Sequence, residues 1–303
     1  MRFTRTVFLL ATVAAAGLTA AARADLANDF STNPIGAAGV TVQGLDAAHV
    51  NSRFTYNSGD GTLTAHYNTT ADTIKLLFDL GQHFNQNSSF VYTARLELPS
   101  AALGSPPDFG GSVASFGLIN SATTGNARAS TGYFDGSGFH EVTKGDTYDL
   151  LTLDYFPTQD PSFGGNSLSL TSIQSAQNGV AFNDSFRFGF ALASLPTDQF
   201  FDVTVTYNGS THLAHMDYGS GSVDADLTGA AFDVNSFAIT LWNDPNLTAQ
   251  SPAFPSGSPV TADAVFDSFS VTATPEPSSA ALLGGAALLL LARRRRLPTK
   301  NER

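Results

Sequence analysis

From Phe54 to Thr272 the chain alternates apolar and polar residues over short stretches, and clusters of Gly, Asn, Asp, Ser and Pro separate them. A period of two is what a strand needs to bury one face and leave the other in water. No helical period longer than about ten residues competes with it. The pattern predicts strands at 73–80, 90–98, 112–119, 148–155, 185–192, 237–242 and 265–272. Two hairpins stand out: FTYNSGDGTLTAHY turns around Asp60 and Gly61, and DVTVTYNGSTHLAHMDY turns at Asn208 and Gly209. Both dipeptides suit turns with positive φ. Regular spacing of strands and turns predicts an all-β fold, a two-sheet sandwich. The Gly-, Ser- and Pro-rich segments 105–111, 157–166 and 243–258 read as long connections over its rim. No linker or repeat splits residues 25–274, so they form one domain.

The hairpin at Asn208 carries a testable register. A two-residue turn there sets Val205 opposite His212 and Asp202 opposite His215. The two histidines then point to opposite faces, which argues against a metal pair. A cross-strand pair with Asp202 is the simplest role for His215. His49, His66, His83 and His140 show no ligand spacing.

The two ends break the alternation. Arg2 and Arg5 precede an apolar run, 7–18, and then Ala22, Arg23 and Ala24. Charge, apolar core and a small-x-small triplet in that order predict a signal peptide, 1–24, cut before Asp25. At the other end Pro275, Glu276 and Pro277 lead into thirteen uncharged residues, 280–292, and then Arg293, Arg294, Arg295 and Arg296. As a helix the apolar segment spans about 20 Å, short of the roughly 30 Å hydrocarbon core. Four adjacent arginines hold its C-terminal side in the cytoplasm, so it reads as a short transmembrane stop-transfer helix.

Charge separates body from ends. Nine of the 15 Lys and Arg, but only Glu276 and Glu302 of the 26 Asp and Glu, lie outside residues 25–274, leaving 6 basic against 24 acidic residues and a net charge of −18 there. Such a surface repels phosphate backbones and excludes nucleic acid as a partner. It favours divalent cations. With no cysteine, the fold rests on core burial, and thiol chemistry is excluded. Phe, at 24 residues against 8 Tyr and one Trp, predicts a phenylalanine-rich core, with the 186, 188, 190 alternation as an example.

The order Pro-Glu-Pro, apolar segment, arginine cluster resembles the PEP-CTERM sorting signal of Gram-negative bacteria. The resemblance implies an exported protein, held for a time in the inner membrane. An exosortase-type transpeptidase, acting after signal peptidase, then passes it to the cell surface or extracellular matrix. The phrases FVYTARLEL, FGFALAS, FDVTVTYNGSTHLAHMDY and VFDSFSVTA resemble, in order, the concanavalin-like jelly rolls of lectins and glucanases. That resemblance implies a jelly-roll sandwich and association with exopolysaccharide.

Catalytic constellations are missing. A retaining glucanase uses two carboxylates a few ångströms apart, which that family carries as alternating glutamates on one strand. Residues 25–274 hold only Glu97 and Glu141, far apart in sequence. No GxSxG, HExxH or phosphate-binding glycine loop occurs. The expectation is a protein that is not an enzyme and has no cofactor beyond a structural calcium. Asp217, Asp224 and Asp226 are the candidate calcium ligands, as the densest acidic stretch. Trp242, with Asn243 and Asp244 beside it, is the candidate sugar platform, because an indole face with polar neighbours suits a pyranose ring. A purely structural envelope or biofilm protein is the alternative, and a divergent glycosidase a third.

Overall fold

The computed structural model describes residues 25–44, 46–68, 71–99, 114–125, 130–135, 138–144, 149–156, 167–174, 187–191, 195–242 and 261–274. In order, the strands are β1 Asp25–Asn28, β2 Val40–Gly44, β3 Phe54–Asn57, β4 Thr62–Asn68, β5 Ile74–Asn85, β6 Phe90–Glu97, β7 Ala114–Ile119, β8 Ser130–Asp135, β9 Gly138–Lys144, β10 Asp149–Phe156, β11 Ser167–Gln174, β12 Arg187–Ala191, β13 Phe200–Asn208, β14 Leu213–Asp217, β15 Ser222–Asp226, β16 Asp233–Leu241 and β17 Thr261–Ala273. One helical turn, α1 Val50–Arg53, precedes β3. Each of the seven predicted strands overlaps an observed one. Strands β1, β2, β8, β9, β11 and β15 were not anticipated.

The strands form the expected two-sheet antiparallel sandwich. One sheet has the order β15-β14-β13-β6-β17-β4-β3, with β1 also on β17; the other runs β12-β11-β10-β7-β16-β5-β2. Among the described residues, strands β8 and β9 form a separate two-stranded sheet. Among the described residues no helix is long and apolar enough to cross a membrane; the predicted span 280–292 lies outside them.

The core is aromatic, as composition predicts. Phe237 of one sheet stacks on Phe269 of the other at 4.1 Å and 6°, and Phe78 meets the same ring edge-on at 4.7 Å. Phe90, Tyr207 and Phe232 form a second group, with centroids 5.1–6.2 Å apart. Each aromatic pair adds about 0.5–1.5 kcal/mol to its area burial. The side chains of 186, 188 and 190 are outside the described set.

Both hairpins turn where predicted, through loops of four residues. Asn57 pairs with Thr62 and Asn208 with Leu213. In each loop the fourth residue has positive φ, Gly61 at 70° and His212 at 57°, and its N–H returns to the Asn carbonyl at 3.0 and 2.8 Å. The asparagine Oδ1 accepts loop N–H groups in both, as Asn does in turns. The longer loop slides β14 by four residues from the expected register. Val205 therefore faces Met216, and His215 faces Thr206 rather than Asp202. His212 leaves the strand for the loop.

The ends of the sandwich differ in what they carry. At one end lie Asp25, which pairs with Thr272, and the last strand's end at Ala273. The 85–89 turn and the 209–212 loop sit there too, since Ala273 pairs with Phe90 and Tyr207 with Phe90. At the opposite end β6 stops, β7 starts, β10 stops, β11 starts, β16 stops and β17 starts. The three predicted long connections, 105–111, 157–166 and 243–258, lie outside the described residues; the strands that flank them end there.

Candidate functional site

The face of the seven-stranded sheet turned away from the core holds a continuous polar row near that opposite end. Cross-strand pairing sets Ser169 beside Asp154, Asp154 beside Ser115, Ser115 beside Thr240, Thr240 beside Lys75 and Lys75 beside Gln43. Local sequence makes the row. In β10 Leu151, Leu153 and Tyr155 point inward, so Thr152 and Asp154 must point outward. In β7 Ala114, Phe116 and Leu118 do the same for Ser115.

Outward does not mean solvated here. Exposure along the row is 1% for Ser169, 6% for Asp154, 2% for Ser115, 1% for Thr240 and 1% for Lys75. Part of the row is bonded internally, as burial of polar atoms favours. Asp154 Oδ1 accepts the Ser115 hydroxyl at 2.5 Å and the Thr152 hydroxyl at 3.0 Å. Trp242 Nε1 donates to Ser115 Oγ at 2.6 Å. The result is a relay from indole to hydroxyl to carboxylate, in which each bond polarises the next. Lys75 Nζ donates to the carbonyls of Thr124 and Gly125 at 2.7 and 2.9 Å. Thr240 Oγ1, in the middle of the row, is buried with no partner.

Trp242 therefore has a different role from the one expected. Its indole is 3% exposed and its N–H donates to Ser115, so it is a buried member of the polar row and offers no open platform. Asn243 and Asp244 lie outside the described residues. So do Ala22, Ala24, Pro275, Glu276, Pro277 and Arg293 to Arg296. Asp25, the predicted mature N-terminus, opens β1.

The three aspartates proposed for calcium stand on the outer face of β14 and β15, each with its own partner. Asp217 Oδ1 accepts the Gly219 N–H at 2.8 Å, and Asp226 Oδ1 the Thr228 N–H at 2.8 Å. Asp224 Oδ1 meets His215 Nδ1 at 2.7 Å, the pairing that Asp202 was expected to make. Asp217 lies opposite Ser222, four residues before Asp226, so the two are roughly 13 Å apart along the strand. Two oxygens that share a calcium at 2.3–2.6 Å lie at most about 5 Å apart, well short of that separation. Among the described residues no three His, Cys, Asp or Glu side chains converge as a metal group.

His66 and His83 each turn Nδ1 to an aspartate, at 2.8 and 3.0 Å, and His49 does so with Asp46 at 2.6 Å. His212 instead lies by Tyr207 Oη and the Gln86 carbonyl, both at 3.1 Å. Among the described basic side chains, Arg53 and Lys75 are buried and Arg95 is exposed. Arg95 lies between Asp202 and Asp267 at 3.4 and 3.5 Å.

No protein-family model and no curated protein matches the chain. Solved structures resemble its course. Peanut lectin aligns over 84% of this chain and 98% of its own at 12% identity and a TM-score of 0.46. A Bacillus licheniformis β-glucanase covers 83% and 98% at 10% identity and 0.45. A legume lectin-like domain from Entamoeba histolytica covers 82% and 97% at 10% and 0.45. No residue role is carried over from any of them.

Sequence reasoning missed the polar row and one other group. Asp149, at the start of β10, accepts the Asp233 N–H with both oxygens, at 2.9 and 3.0 Å. Burial pushes its carboxyl up to about 6, against the opposing pull of that N–H. The row had a trace in the sequence. Single small polar residues recur between bulky apolar ones in ASFGL, LTLDY, SLSL and ITLW, a pattern that amphipathic alternation alone also produces.

Proposed function

We propose that this is an exported, non-catalytic surface or matrix protein, sorted by its C-terminal segment and associated with exopolysaccharide. The observation that carries the export reading is the match between fold and predicted processing. Strand β1 opens at Asp25, the residue after the predicted cut, and β17 closes at Ala273, two residues before Pro275. All of the described strands fall between the two stretches read as export signals.

Association with polysaccharide is supported by the resemblance of the strand phrases to concanavalin-like jelly rolls and by a body whose charge disfavours polyphosphates. The non-catalytic reading is supported by the glutamates: Glu97 stands on β6 and Glu141 on β9, so no alternating pair exists on one strand. Residues 25–274 would be screened against a polysaccharide array with calcium and with EDTA, beside Asp154→Asn and Trp242→Ala proteins checked for folding. Saturable binding by the unmodified domain supports the reading; absence of binding in both buffers removes the carbohydrate half. Released reducing sugar would instead restore a glycosidase.

One observation favours the structural alternative, an envelope or biofilm protein with no discrete ligand. The only Trp is buried, and its N–H is already used inside the fold. The array separates the two readings.

A further inference from the structure

We propose that the end of the sandwich where the chain leaves β17 is a surface that rests against phospholipid headgroups while the protein is tethered. This rests on the reading of 280–292 as a membrane segment. Three pieces of chain meet at that end, and Ser89 ties them together. Its carbonyl accepts the N–H of Thr274 at 2.9 Å, and its hydroxyl accepts the N–H of Gly209 at 3.0 Å. Tyr207 Oη adds a bond to the Gln86 carbonyl at 2.7 Å. The exit residue, the 85–89 turn and the 209–212 loop are thus one bonded unit. Gly209 permits the close approach: a Cβ there would lie 2.3 Å from the Asn87 carbonyl oxygen.

The chemistry of this unit differs from the rest of the body. The 85–89 turn reads Asn, Gln, Asn, Ser, Ser, and 209–213 reads Gly, Ser, Thr, His, Leu. Neither tip carries a carboxylate, on a domain whose net charge is −18. The nearest acids in register, Asp25 opposite Thr272, Asp233 opposite Asn85 and Asp226 opposite Leu213, are at the bases of the tips. Leu213 is 47% exposed, one of two large apolar side chains so open among the described residues. An acidic surface is repelled by anionic headgroups within a Debye length. A neutral, amide- and hydroxyl-rich tip with one exposed leucine is tolerated there.

Chain length fixes which end faces the bilayer. Five residues, 275–279, separate Thr274 from the apolar segment, a leash of at most about 20 Å. Strand β17 alone, at 13 residues, is about 40 Å long. The leash is too short to let the body stand inverted, so the tips approach the headgroups and the polar row points away from them.

The test uses the full chain in vesicles of mixed zwitterionic and anionic phospholipid. Because the protein has no cysteine, single Thr211→Cys and Gln199→Cys variants take a fluorophore at one site each, on opposite sides of β13. A headgroup-borne spin label should quench the label at 211 several-fold more than the label at 199. Asn87→Cys serves as a second reporter of the same end, should a label at 211 disturb its loop. Equal quenching, or stronger quenching at 199, overturns the orientation. If the full chain does not float with the vesicles, the tether reading itself falls and the orientation with it. Flotation without quenching at 211 or 87 sinks the orientation alone.

Discussion

On the eight-stranded sheet the residues that point away from the core, among them Thr206, His215, Asp224 and Asp263, stand in water. On the seven-stranded sheet their counterparts Ser115, Asp154, Thr240 and Lys75 are at most 6% exposed. Both faces arise from the same period-two alternation. On the first, hydrogen bonds such as His215 to Asp224 compete with water and contribute little. On the second, each group has lost its water, and a missing partner costs the full desolvation of whatever is left alone. Polar residues on a strand thus mean solubility on one sheet and a buried network on the other.

The sharpest way to break this contrast is at Gly117, beneath the buried row. Its φ is 141°, and a Cβ would lie 2.8 Å from the Leu151 carbonyl oxygen and 2.9 Å from the Thr152 Cα. Gly117→Ala should cost about 3 kcal/mol or more, read as a lower urea midpoint. Next is Asp154→Ala, which strands the hydroxyls of Ser115 and Thr152 and should cost about 2–4 kcal/mol. A loss for Asp154→Ala no larger than for Asp202→Ala on the exposed face would erase the contrast.

Asp149 tests burial through pH. Burial lifts its carboxyl from the ordinary 3.8 to about 6 in the folded protein. Between those values the folded state holds the extra proton, so its contribution to stability is greatest below about 3.8 and falls as pH rises through 6. The loss should be about 1–2 kcal/mol after partial solvent screening. Thermal melts from pH 4 to 7 should show the wild type losing stability relative to Asp149→Asn.

Tyr92 should gain from a deletion. Its hydroxyl is buried without a partner, with its ionisation pushed well up by burial and by Asp154. Tyr92→Phe should stabilise by about 1 kcal/mol; a destabilised variant would reveal a hidden hydrogen bond. The smallest effect belongs to the exposed face, where His215→Ala should change stability by less than about 0.5 kcal/mol.

Alternation, turn residues and the excess of Phe determined the all-β class, the positions of seven strands and the aromatic core. Those features follow from local backbone preference and from the need to bury one face of each strand. The acidic balance likewise depends on composition alone. Register was another matter. Asn208 and Gly209 marked the turn, but the Asn208 side chain and the left-handed His212 fixed a four-residue loop, and His215 met Asp224 as a result. Which polar faces are buried was decided only by tertiary structure. Side-chain alternation tells a strand's two faces apart, and whether the outer one meets water depends on what the rest of the chain lays over it. For that reason Trp242, read along the chain as a rim platform, became a buried member of a polar row assembled from six separate strands.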